Sequence, residues 1–164
     1  MTVLDTGVPD RIASRSNLLI TFCAQSVVTA FNDKLNLDFE TALKLSSSFG
    51  GGMGRLREVC GAVTGMFIVV GLLYGYDDAH DRKQKAEHYK LVQELAAKFK
   101  EQNKSIVCRE LLGLKGADNY MPEIRTEEYY SKRPCKQLVG IAAQILEDYI
   151  NQKEDRSNEN SSSM

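Results

Sequence analysis

The feature that most constrains this fold is an apolar stretch at residues 49–76, in which glycines recur four positions apart. The pairs are Gly61 with Gly65 and Gly71 with Gly75. In a helix this spacing puts both glycines of a pair on one face, where a neighbouring helix can approach closely because no side chain intervenes. Each glycine also costs a helix about 1 kcal/mol relative to alanine. Tight packing must offset that cost, so the stretch predicts a central, buried helix.

The composition is that of an ordinary globular protein: of 164 residues, 43% are apolar and 26% are charged, and the formal net charge is −1. This balance gives no global attraction to nucleic acid or to an anionic membrane surface. The longest apolar run, at 62–74, is interrupted by glycine and is shorter than the roughly 20 residues that span a bilayer. The N-terminal residues lack the pattern of a secretory signal. We therefore expect a cytoplasmic protein without membrane insertion, in which permanent disulfide bonds are disfavoured.

Apolar residues recur at three- and four-residue steps along most of the chain, and no stretch alternates as a strand would. The pattern predicts an all-α fold, a single-domain helical bundle of five or six helices over residues 1–151. The polar, serine-rich end at 152–164 predicts a disordered tail. The predicted helices cover residues 10 or 14 to 31, 39–47, 53 or 55 to about 76, 79–102, 106–112 and 134–151, with a loop at 114–131.

The strongest candidates for chemistry are four cysteines, Cys23, Cys60, Cys108 and Cys135. They stand far apart with no C-x-x-C pair, so the usual zinc-finger and thioredoxin spacings are absent. Each falls on a predicted inward face. Because buried cysteine often packs simply as a small apolar side chain, the four thiols leave open two disulfides, one four-thiolate metal site, or no site at all.

Two of the cysteines, Cys108 and Cys135, also fall where a predicted helix begins. Free N–H groups and the positive end of the helix dipole stabilise a thiolate at such a position. The predicted start of the central helix leaves Cys60 too far inside that helix for a strong effect. Cys23 is expected in the middle of a helix, where the effect is absent.

The sequence motifs around the four cysteines resemble those of a known protein family. Cys60 opens a CGAxxG motif, CGAVTG, which follows the glycine cluster FGGGMGR. The other three stand in CAQSV at 23–27, CRELLG at 108–113 and RPCKQLV around Cys135. Over about residues 18–150 the chain resembles the C_GCAxxG_C_C family of redox-active proteins. The resemblance implies thiol redox chemistry, as in an oxidoreductase, or an iron–sulfur cluster or other metal held by the thiols. It also implies a functional association with a transporter.

Three hypotheses remain. In the first, two or more cysteines cycle between thiol and disulfide, with Cys108 and Cys135 as the low-pKa partners and Cys23 and Cys60 as resolving or second-pair residues; this predicts close sulfur pairs. In the second, all four thiolates converge on one metal ion or iron–sulfur centre. In the third, the protein is a structural or interaction module whose cysteines fill the core. We favour electron or thiol transfer, with an unidentified redox partner.

Overall fold

A computed structural model describes residues 23–162 of the chain. Within this range the fold is all-α and forms a single domain, as predicted. Five helices have eight or more residues, which agrees with the expected bundle. No strand occurs in the described part of the chain, apart from one isolated antiparallel bridge between Val59 and Val107. Among the helices described there, none has the length and the apolar content needed to cross a membrane.

The elements follow in chain order. They are α1 (Cys23–Ala30), α2 (Asn32–Leu35), α3 (Phe39–Ser46), a 3₁₀ turn (Ser47–Phe49), α4 (Gly50–Met53), α5 (Gly61–Tyr74), α6 (Arg82–Asn103), α7 (Cys108–Leu111), α8 (Glu127–Ser131) and α9 (Cys135–Ser162). The predicted start of the first helix, at residue 10 or 14, lies outside the described residues.

Helix α5 is the centre of the molecule, as the apolar stretch predicts. It packs against α1, α9 and α6, and its residues from Gly61 to Met66 are all buried. The first glycine pair brings α1 against it. A Cβ built at Gly65 would lie 2.9 Å from the carbonyl oxygen of Ala24. The second pair, Gly71 with Gly75, does not bring a neighbouring helix close, since a Cβ at Gly71 would meet nothing within 4 Å.

The central helix begins at Gly61, whereas the sequence predicts a start at Met53 or Arg55. The reason is a left-handed turn: every residue from 51 to 55 has a positive φ, and so does Arg57. Three glycines within the turn reduce the strain that this conformation imposes on residues with a side chain. A right-handed helix cannot run through such a segment. Leu56, which lies in this segment, is 58% exposed.

Two further differences concern the C-terminal third. The predicted loop at 114–131 contains α8, which begins after Thr126 because the Thr126 side chain accepts a hydrogen bond from the backbone N–H of Tyr129. The predicted disordered tail is wrong for the described residues, since α9 continues to Ser162. Adding a residue to an existing helix requires no new nucleus. An ion pair of 2.7 Å between Glu154 and Lys34 also ties this extension to the bundle.

Candidate functional site: a cavity lined by four thiols

The single antiparallel bridge positions two of the cysteines. Around the bridge, the backbone N–H of Cys60 donates to the carbonyl oxygen of Ile106 at 2.8 Å. The N–H of Cys108 donates in return to the carbonyl oxygen of Glu58 at 2.6 Å. Cys60 and Cys108 each follow directly after a bridged residue, so their side chains lie on the same face of this short ladder. A helix begins at each of the two positions.

Glycines allow the left-handed turn and α1 to pack closely against this ladder. A Cβ at Gly52, in the left-handed turn, would lie 2.6 Å from the Cβ of Cys108. A Cβ at Gly61 would lie 3.0 Å from the Cβ of Cys23. A side chain at either glycine would force these cysteines away from the ladder, which gives the glycine cluster and the CGAxxG motif a steric role in the site.

All four predicted cysteines line one cavity of about 40 Å³. Cys60 and Cys108 are buried, Cys23 and Cys135 are half-buried, and all four are free thiols. Helices that are distant in sequence supply them: α1 carries Cys23 and α9 begins at Cys135. The same cavity is lined by Arg57, Arg125, Tyr129 and Tyr130, and by the two glycines of the preceding paragraph.

Cys23 and Cys135 line the same cavity, and each changes the pKa of the other. The hydrogen bond from the Cys23 thiol lowers the pKa of Cys135 to about 7, helped by the nearby positive charges of Arg133 and Arg125. The same hydrogen bond, together with burial, raises the pKa of Cys23 well above its ordinary value. At pH 7 about half of the Cys135 population is therefore thiolate, beside a Cys23 that keeps its proton. This agrees with the low pKa predicted for Cys135 at a helix start.

Cys108 and Cys60 keep their protons, as Cys23 does. Burial raises the pKa of Cys108, although a contact of 3.7 Å with Nη1 of Arg57 acts in the opposite direction. The prediction that Cys108 is a second low-pKa thiol is therefore wrong, because loss of solvation outweighs the nearby charge. Burial also raises the pKa of Cys60 to about 12. Cys60 stands at the N-cap of α5 rather than deep inside the helix, so the prediction of its place was wrong as well.

Arg57 is a site residue that the cysteine pattern did not select. Its side chain is only 3% exposed, although arginine is rarely buried without a partner. Asp118 is that partner: Nε of Arg57 donates to Oδ2 of Asp118 at 2.8 Å, and Nη2 donates to the same oxygen. The guanidinium lowers the pKa of Asp118. This pair fixes the guanidinium with Nη1 facing the sulfur of Cys108.

Within residues 23–162, no three His, Cys, Asp or Glu side chains are grouped so that they could hold a metal ion. A structural metal centre needs about four ligands at bonding distance from one point. The four cysteines line one cavity without forming such a group. The metal or iron–sulfur cluster that the family resemblance implies stays a prediction.

Comparison with known proteins agrees with the family resemblance. A family model described as "Putative redox-active protein (C_GCAxxG_C_C)" matches residues 21–149, which include all four cysteines. No curated protein and no solved structure matched the chain.

Proposed function

Because the chain belongs to the C_GCAxxG_C_C family, we propose that it is a thiol–disulfide redox protein whose working pair is Cys135 and Cys23. The observation that carries the proposal is that both thiols line one cavity, in which one sulfur has a pKa of about 7 and the other keeps its proton. A thiolate is the nucleophile in thiol–disulfide exchange, and it reacts best when its pKa is near the ambient pH. The adjacent thiol is placed to complete the exchange.

In the proposed reaction, the Cys135 thiolate attacks one sulfur of a substrate disulfide, R–S–S–R′. A mixed disulfide forms between Cys135 and RS, and R′S⁻ leaves. Cys23 then loses its proton and attacks the sulfur of Cys135, which releases RS⁻ and forms the Cys23–Cys135 disulfide. Two electrons move from the protein dithiol to the substrate, which becomes two thiols. An external dithiol returns the protein to its reduced form by the reverse exchange.

The remaining cavity residues support this chemistry. Arg57, Arg125 and Arg133 place positive charge near Cys135, which favours its thiolate over the neutral thiol. Cys60 and Cys108 are held protonated by burial, so they do not compete with Cys135 as nucleophiles near neutral pH.

The test is to treat the reduced protein with one equivalent of a neutral disulfide, 2-hydroxyethyl disulfide, and to map the products by peptide mass spectrometry without reduction. The wild type should form the Cys23–Cys135 disulfide and retain Cys60 as a free thiol. Cys23→Ala should stop at the mixed disulfide on Cys135. Cys60→Ala, which removes a cysteine of the same cavity, should still form the internal disulfide.

Two results would contradict the proposal. One is a protein whose four thiols remain unmodified under conditions in which an unfolded control reacts. The other is oxidation of Cys60 or Cys108 while Cys135 remains free.

A further inference from the structure

Apart from the Cys135 thiolate, the charged side chains that line the cavity are all positive. Its described lining includes Arg57, Arg125 and Lys136, and no aspartate or glutamate. Asp118, which pairs with Arg57, is not part of the lining. A concave site lined by one sign of charge, with partly apolar walls, concentrates ions of the opposite sign. The site therefore favours an anionic ligand.

The size of the cavity limits which anion it can take. A volume of about 40 Å³ is room for about three water molecules, since one needs at least about 10–15 Å³. A folded segment of another protein or a nucleotide is too large to enter. A compact anion of a few heavy atoms is small enough to enter. An anion inside the cavity would lie close to both the sulfur atoms and a positive charge, because Nη1 of Arg57 lies 3.7 Å from Sγ of Cys108 in the cavity wall.

The reactivity of the thiols further limits which anions could be substrates. A ligand that reacts with a thiolate must present an electrophilic atom, and in thiol–disulfide exchange that atom is a sulfur bonded to a leaving group. An anion whose sulfane sulfur is bonded to a sulfonate group meets both requirements. Resting on the function proposed above, we propose that the substrates of this cavity are small sulfane–sulfonate anions, of which thiosulfate is the simplest.

The proposed step balances in atoms and electrons. The Cys135 thiolate attacks the sulfane sulfur of thiosulfate, the S–S bond of thiosulfate breaks, and sulfite leaves with the bonding electrons. Cys135 then carries a persulfide. Cys23 loses its proton and attacks the Cys135 sulfur, which forms the Cys23–Cys135 disulfide and releases the outer sulfur as HS⁻. Because thiolate and thiosulfate are both anions, they repel one another unless cationic side chains lie nearby, which is the role assigned to Arg57 and Arg125.

Binding is tested separately from reaction, with sulfate as a probe that has the same charge but no electrophilic sulfur. Sulfate should slow the alkylation of Cys135 by neutral iodoacetamide, about threefold when its concentration is twice its Kd. Arg125→Gln should raise the Kd of sulfate about tenfold, so that the same sulfate concentration gives almost no protection, because one charged hydrogen bond is lost. Lys132→Gln is the matched control, since Lys132 is a nearby exposed lysine that does not line the cavity, and it should protect as the wild type does. Lys136→Gln provides a second variant of the cavity lining.

Reaction is tested by a single turnover of the reduced wild type with thiosulfate. One equivalent of sulfite should be released per protein, with the Cys23–Cys135 disulfide as the product, and Cys23→Ala should retain a persulfide on Cys135. If 2-hydroxyethyl disulfide oxidises the pair but sulfate gives no protection and thiosulfate no sulfite, the anion proposal is wrong and the redox function stands. If Cys135 fails to react with the neutral disulfide as well, the redox function itself is wrong.

Discussion

Two glycine-to-alanine substitutions in α5 should change stability in opposite directions. Alanine at either Gly65 or Gly71 raises the intrinsic preference for helix by about 1 kcal/mol. At Gly71 the new Cβ meets nothing within 4 Å, so the gain remains and Gly71→Ala should stabilise the protein by about that amount. At Gly65 the new Cβ would lie 2.9 Å from the oxygen of Ala24 and 3.0 Å from the Cβ of Val27. Both distances are too short for ordinary contact.

The size of the effect at Gly65 follows from which atoms would have to move. The closest is a backbone oxygen of α1, so relief requires a shift of that helix rather than the rotation of a side chain. Overpacking of this kind costs about 1–3 kcal/mol. After the helix preference is subtracted, Gly65→Ala should lower the free energy of unfolding by up to about 2 kcal/mol. The two variants should thus differ by about 1–3 kcal/mol.

The assay is urea unfolding of both variants beside the wild type, followed by far-ultraviolet circular dichroism. Equal slopes with different midpoints would show that stability alone has changed. If Gly65→Ala is as stabilising as Gly71→Ala, then α1 and α5 are not in close contact. The steric role assigned to the glycines around the cavity would then be wrong too.

Three other outcomes are expected. The alkylation rate of Cys135 should rise with pH to a midpoint at about 7, because the thiolate reacts and forms as pH passes the lowered pKa; a midpoint of about 8.5, that of an ordinary thiol, would contradict this. Asp118→Asn should lower the free energy of unfolding by about 1–3 kcal/mol, because it weakens the partner of the buried Arg57 charge; an unchanged urea midpoint would refute that role. Removing the chain from Glu154 onward should lower the free energy of unfolding by less than about 1 kcal/mol, since the ion pair with Lys34 that it breaks is partly exposed; a larger loss would mean that this end packs against the bundle.

The parts of the fold that the sequence predicted are those set by local patterns. The apolar run of α5 and the spacing of Gly61 and Gly65 predicted a buried helix closely approached by another, and the structure has it. Proline before Cys135 correctly predicted that a helix begins there. These signals act within a few residues, so they can be read without knowledge of the tertiary structure.

The parts that were missed depend on residues far apart in the chain. Arg57 has the appearance of a surface residue in the sequence, and its burial depends on Asp118, which approaches it only in the folded state. The raised pKa of Cys108 has a similar origin, because solvent is excluded by elements from several parts of the chain. A helix start can be recognised locally, but the balance between burial and dipole at that start cannot.

The left-handed turn was missed for a different reason. Glycines at 50–52 and Gly54 suggested an interruption, but Met53, Arg55 and Arg57 adopt the same positive φ, which residues with side chains seldom do. Apolar periodicity alone then extended the predicted helix backward past Cys60. The error hid the fact that Cys60 stands at the N-cap position of α5.

The bridge between Val59 and Val107 has a consequence for how this architecture can vary. From Cys60, at the cavity lined by the four thiols, the polypeptide continues through α5, turns, and returns through α6 to Cys108 at the same cavity. The bridge and its hydrogen bonds join the two ends of this helical pair directly. The turn between α5 and α6 therefore does not hold the two cysteines in place. Residues can be gained or lost at that turn while the thiols keep their places, so the spacing of the second and third cysteines along the chain is free to drift without altering their spacing in the molecule.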